Sequence, residues 1–172
     1  MKQVWPQKVS KIVTELLNAN ACISIADNVT CGKLASVLTD VPNYRDYFCG
    51  SIVLGDHSGD RSLLEIRGPL DNISSAKLPP ILRYMSDYCA HWFYVDKPMY
   101  TLLVYELDRN EETNAVTIAI NFSYNGKSQL QKFNFNTDEL TVSELRDTVI
   151  DHALEMLVES LTQYPHLKFM EL

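Results

Sequence analysis

Between Ala21 and Leu54 an apolar run, a turn of small residues, an amphipathic stretch and a second apolar run follow in quick succession. Cys22–Ala26 (CISIA) is a short strand, and Asp27–Gly32 is a small-residue turn. A helix begins at Cys31 or Gly32 and runs to Leu38, with Leu34, Val37 and Leu38 on one face. Thr39-Asp40-Val41-Pro42 stops it, because proline cannot continue a helix and disfavours helical backbone before it. Ser51–Leu54 then reads as a second, buried strand. A strand that turns directly into a helix brings backbone N–H groups to the helix N-terminus, where anions and developing oxyanions are stabilised. The order suits an active site.

The same alternation continues along the chain. Val9, Ile12, Val13, Leu16 and Leu17 recur at helical spacing and predict a helix from Pro6 to Asn18. Gly55–Asp60 is rich in Gly, Asp and Ser and reads as a loop. Pro79-Pro80 opens another helix, whose apolar stripe is Ile81, Tyr84, Met85, Tyr88, Cys89 and Trp92. Met99–Glu106 and Ala115–Phe122 are strands, joined by the polar connection LDRNEETN at 107–114. Leu130, Phe133 and Phe135 mark one more strand after the Asn125-Gly126 turn. Thr141 and Glu144 form a capping box for a last helix, which buries Leu145, Val149, Ala153, Leu154, Met156, Leu157 and Leu161 and ends at Pro165. The fold class is α/β: a single layered α/β/α domain over residues 1–172 with a mixed sheet.

Charge and cysteine usage narrow the function. A net charge of −7 and a pI near 5.0 argue against nucleic acid as the main partner, since phosphate binding needs clustered Lys and Arg. No secretion signal leads the chain, and no apolar run is long enough to span a membrane. Cys22, Cys31, Cys49 and Cys89 lack CxxC spacing, so neither zinc nor a disulfide framework is expected. These features point to a cytoplasmic protein without metal or cofactor.

Three blocks carry a more specific signal: Ala26-Asp27-Asn28-Val29-Thr30-Cys31-Gly32, then Leu38-Thr39-Asp40-Val41-Pro42-Asn43, then Tyr47-Phe48-Cys49-Gly50-Ser51-Ile52-Val53-Leu54-Gly55-Asp56-His57-Ser58-Gly59-Asp60. Their order and spacing resemble the C-terminal domain of the CinA (competence/damage-inducible) family, whose active members deamidate nicotinamide mononucleotide. The resemblance runs without a gap from Ala26 to Ile66 and more weakly beyond. It implies the same layered α/β architecture and a bacterial source. The departures fall on the chemistry: the family's nucleophilic serine corresponds to Asn28, and the tyrosine and lysine thought to activate it correspond to Gly55 and Asp60. An asparagine amide cannot replace an activated hydroxyl, and a carboxylate in place of a lysine inverts the local charge. A glycine-rich pocket segment of the family corresponds to Tyr105–Glu112, which has no glycine and four acidic residues, unfavourable for a nucleotide phosphate. The resemblance therefore implies a pseudoenzyme. Its pocket would be lined by Asp27, Asn28, Thr30, Cys31, Gly32, Asp56 and His57.

Other candidates each carry a plainer alternative. Asp56-His57-Ser58-Gly59-Asp60 holds a carboxylate, an imidazole and a hydroxyl, but triads usually converge from separated segments, so a solvated loop is the simpler reading. Cys31 with His57 would make a relocated nucleophile–base pair, against which stands a small buried cysteine at the turn. Thr30 and Asp27 are expected to cap the helix, and Asp40 to shape the following turn. His91, His152 and His166 lack ligand spacing. Trp92-Phe93-Tyr94 is either an interface patch or a core helix end. The expected partners are a small nucleotide or amide ligand and further copies of the chain, with no nucleic acid and no membrane.

Overall fold

The computed structural model describes residues 5–54, 78–93, 96–124 and 127–163. Helix α1 spans Trp5–Asn18, strand β1 Cys22–Asp27, helix α2 Lys33–Thr39 and strand β2 Phe48–Val53, with a short 3-10 turn at Tyr44–Asp46 between the last two. Helix α3 is Leu78–His91, strand β3 Met99–Asn110, β4 Ala115–Tyr124, β5 Lys127–Asn136 and helix α4 Val142–Gln163. The five strands form one mixed sheet in the order β2-β1-β3-β4-β5. β1 lies parallel to both β2 and β3, and β4 and β5 continue antiparallel.

Helices cover both faces, as an α/β/α fold requires. One face carries α1, α2 and α4, whose Ile12, Leu16, Leu34, Leu38, Val149 and Leu154 pack on Ile23, Ile25, Leu102, Val104, Ile118 and Ile120. The other face carries α3, with Leu82 and Met85 against Ala26, Leu103, Tyr105 and Ala119. β1 is buried along its whole length because it has a strand on each side and a helix layer on each face.

Three sequence expectations are corrected. The second strand is longer than Ser51–Leu54 and only half-buried; it borders the sheet among the described strands, and Val53 is 53% exposed. The α3 stripe is narrower than expected: Met85 is buried and Tyr88 partly so, but Tyr84 and Trp92 are 49% and 58% exposed. Among the described residues α3 is the helix on this face, and it meets the sheet along the Leu82–Met85 seam, which leaves Tyr84 on the outer side. The Ile81 and Cys89 side chains, Tyr94, Pro165 and His166 lie outside the described residues. Finally, the polar segment after Glu106 is not all loop. β3 continues to Asn110 because Asp108, Arg109 and Asn110 pair with Thr117, Val116 and Ala115. The turn proper is 111–114, where the Asn110 side-chain carbonyl accepts the Glu112 and Thr113 N–H groups and Asn114 takes a left-handed φ of 49°.

Two local devices fix the elements around β1. The Tyr47 hydroxyl, fully buried, donates to the Leu38 carbonyl at 2.7 Å and ties the end of α2 to the start of β2. Gly50 has a φ of 154°, and a Cβ placed there would lie 2.3 Å from the Phe93 ring, so only glycine lets that ring lie on β2. The expected capping box forms at α4: Thr141 Oγ1 accepts the Glu144 N–H at 3.2 Å and Glu144 accepts the Thr141 N–H at 2.9 Å. No helix among the described residues is long and apolar enough to cross a membrane.

Candidate functional site

The chain leaves β1 toward β2 on one side and returns from β2 to β3 on the other. In open α/β sheets such a reversal opens a crevice beyond the strands' carboxyl ends, the usual place for a ligand. The turn at 28–32 occupies this place.

Asp27, the last residue of β1, is 1% exposed, and its carboxylate is saturated from within the turn. Oδ1 accepts the Val29 N–H at 2.8 Å and the Thr30 N–H at 2.7 Å, Oδ2 accepts the Gly32 N–H at 3.2 Å, and the Thr30 hydroxyl donates to Oδ2. Thr30 Oγ1 in turn accepts the Leu34 N–H at 3.2 Å, which is its expected capping role. This corrects the expectation that the turn offers its amides to an anion: the N–H groups of 29, 30 and 32 are already bonded to a carboxylate of the chain itself.

Asn28 is bonded on both sides of its peptide. Its N–H donates to the Val104 carbonyl at 3.2 Å, and its side-chain Oδ1 accepts the Glu106 N–H at 2.9 Å. Asp27 lies opposite Val104, so Asn28 stands opposite Tyr105, and in a parallel ladder its main-chain carbonyl would accept that N–H. The amide side chain takes the carbonyl's part and extends the β1–β3 pairing by one residue into the crevice. Asn28 thus serves as a strand-end fastener.

Cys31 is exposed, against the expectation of a small buried residue. It has a left-handed φ of 53°, followed by Gly32 at 84°, and this pair of conformations turns the chain outward before α2. Arg146 of α4 reaches it: Nη2 lies 3.2 Å from Cys31 Sγ and Nε donates to the Val29 carbonyl at 3.3 Å. Lys33 pairs with Asp147 of the same helix. Arg146 and Asp147 have no signal in the local sequence pattern, because more than a hundred residues separate them from the turn they hold.

Glu106 adds one acidic side chain beside Asn28, but it forms a two-point ion pair with Arg109 at 2.7 and 2.9 Å. That bond holds the Arg109 guanidinium above its ordinary pKa. Gly55, Asp56, His57 and Asp60 lie outside the described residues, and the Cys31–His57 pairing with them. Among the described residues no cluster of three or more His, Cys, Asp or Glu side chains is placed to hold a metal. His152 is stacked on Phe133 with ring centroids 4.2 Å apart, a packing role.

The model of the CinA C-terminal domain matches residues 6–76, which include the turn. A CinA superfamily protein from Klebsiella pneumoniae superposes with a TM-score of 0.76 at 15% identity, covering 94% of this chain and 100% of that one. This chain has the CinA fold. A CinA superfamily protein from Enterobacter cloacae gives a TM-score of 0.71 at 16% identity, with 94% of each chain covered. The competence/damage-inducible protein CihA from Agrobacterium tumefaciens gives 0.68 at 14% identity, over 92% of this chain and 96% of that one. No curated protein matches this chain in sequence. The CinA match in sequence covers the Asn28 turn, and the CinA likeness in structure extends over both halves of the sheet.

Proposed function

We propose that this CinA-like chain is a non-catalytic homologue of nicotinamide mononucleotide deamidases that acts by binding. Its ligand is a nucleotide or small amide, or its partner is a further copy of the chain. The observation that carries this reading is the Asn28 Oδ1 bond to the Glu106 N–H at 2.9 Å, which commits the nucleophile position to holding two strands together. The Asp27 carboxylate supports it by taking up amides that an oxyanion would need. The glycine and acid at positions 55 and 60 agree with it in sequence.

The test is ammonia release from nicotinamide mononucleotide by the purified chain, with a thermal-shift measurement of binding in parallel. No turnover by the native chain is expected, whereas Asn28→Ser/Gly55→Tyr/Asp60→Lys should gain turnover. Turnover by the native chain would overturn the reading, through Asn28 if Asn28→Ala abolishes it and through other residues if it survives. Stabilisation by the nucleotide without turnover would make the chain a ligand sensor, since a ligand that prefers the folded state raises its apparent stability.

A second reading has one observation in its favour: Cys31 is an exposed thiol with the Arg146 guanidinium on its sulfur. A hydrolase with its nucleophile relocated to Cys31 requires fast alkylation at neutral pH, together with turnover lost in Cys31→Ser. Slow alkylation at Cys31 would dismiss it.

A further inference from the structure

A second feature lies at the amino ends of β1 and β2, the opposite end of the sheet from the Asn28 turn. A cleft of about 320 Å³ opens there, lined by Cys22, Cys49, Arg45, Asp96 and Lys97 among others. Cys22 is the first residue of β1 and is buried; Cys49 is the second residue of β2 and is half-buried. Ile23 pairs with Phe48 and the next residue, Ser24, pairs with Gly50, so Cys49 is the extra residue of a β-bulge. Bulges re-aim a side chain out of the regular ladder, and here Cys49 lines the same cleft as Cys22. The Cys22 S–H donates to the Pro98 carbonyl at 3.6 Å.

The electrostatics set the two thiols apart. A thiolate at Cys22 accepts the Cys49 S–H, and that bond, with the nearby Lys97 ammonium, lowers the Cys22 pKa. Cys49 is raised, because its proton is held by Cys22 and a second negative charge beside the first is disfavoured. Lys97 is itself held in place by the Asp46 carbonyl at 3.2 Å. A metal site is not the better reading, since no third ligand completes a cluster among the described residues. Cys22 precedes Ile23 and Cys49 follows its partner Phe48, so the two stand diagonally across adjacent strands that run about 4.8 Å apart.

We propose that Cys22 and Cys49 form a reversible oxidation site that hydrogen peroxide converts to a disulfide tying β1 to β2. Cys22 sulfur attacks one peroxide oxygen, the O–O bond breaks, and hydroxide leaves, giving a sulfenic acid. Cys49 sulfur then attacks the Cys22 sulfur, its proton leaves with the departing oxygen as water, and the S–S bond forms. Two thiols lose two electrons, and one peroxide is reduced to two waters. A small oxidant suits the cleft, because Cys22 is buried and lines it.

The experiment treats the full chain with hydrogen peroxide at neutral pH, counts thiols, and maps unreduced peptides. Two of the four thiols should disappear, and a peptide joining Cys22 to Cys49 should appear and revert with dithiothreitol. Cys49→Ser should stop at a Cys22 sulfenic acid trapped by dimedone, and Cys22→Ser should leave Cys49 unmodified. Should a serine variant not fold, phenylarsine oxide on the native chain gives an independent answer, since one arsenic bridges two adjacent thiols. Joint protection of Cys22 and Cys49 supports the site. Oxidation confined to Cys31, or failure of the arsenical to protect the pair, overturns it.

Discussion

Removing the Asn28 amide should destabilise the fold even though the residue sits in a turn at the candidate site. Asn28→Ala deletes the acceptor of the Glu106 N–H and leaves that donor without its partner in a partly buried place. A hydrogen bond contributes about 0.5–1.5 kcal/mol net, and an orphaned buried donor costs about 1–3 kcal/mol. Water can reach a half-buried position, so the lower part of the range applies, about 1–2 kcal/mol. For a chain of this size that lowers Tm by roughly 2–8 °C, at about 2–4 °C per kcal/mol. Asn28→Ser should lose nearly as much, because its hydroxyl oxygen stands one bond short of Oδ1. Urea denaturation gives the free energy, with an unchanged m-value marking a change in stability alone. Glu106→Ala is the control: it keeps the main-chain N–H and deletes only the ion pair to Arg109, a surface pair worth about 0–1 kcal/mol. An Asn28→Ala chain within about 0.5 kcal/mol of native would refute the reasoning, since it would mean that water replaces the amide at no cost.

Two other outcomes follow from packing and burial. Gly50→Ala should cost about 1–3 kcal/mol, because its Cβ meets the Phe93 ring at 2.3 Å; Phe93→Ala in the same chain should recover part of that cost, and denaturation of the four variants in a cycle measures the coupling. Burial raises the pKa values of Tyr47, Tyr100 and Tyr124, with Tyr124 adding a charge effect on Tyr100. The unfolded tyrosines ionise near about 10 and the folded ones higher, so stability is unaffected below that pH and falls as pH rises through it. Ultraviolet titration should therefore show these three ionising together with alkaline unfolding; ionisation at their ordinary value with the fold intact would refute this.

The layers of the protein were legible in its sequence because hydrophobic period and punctuation are local. The helical repeat of Val9, Ile12 and Leu16, the β-favouring run at Ala115–Phe122, and the Thr141–Glu144 box each state their element within a few residues. The motif at Ala26–Gly32 likewise placed the turn at the end of β1. What could not be read there was where each side chain finds its partner. Tyr84 and Trp92 match the period of a buried stripe, but exposure depends on how much of the helix the sheet touches. Asp108–Asn110 are polar and poor strand formers, yet pairing with β4 carries them into β3, because ladder bonds use the backbone and not the side chain. Cys31 has the composition of a buried residue and is exposed because a left-handed turn points it outward. The sequence by itself determined that Asn28 cannot act as an activated serine, since that is a property of the amide. Only the tertiary structure decided what the amide does instead: β3, distant in the chain, brings the Glu106 N–H to 2.9 Å from Oδ1, and a hydrogen bond depends on distance in space rather than along the chain.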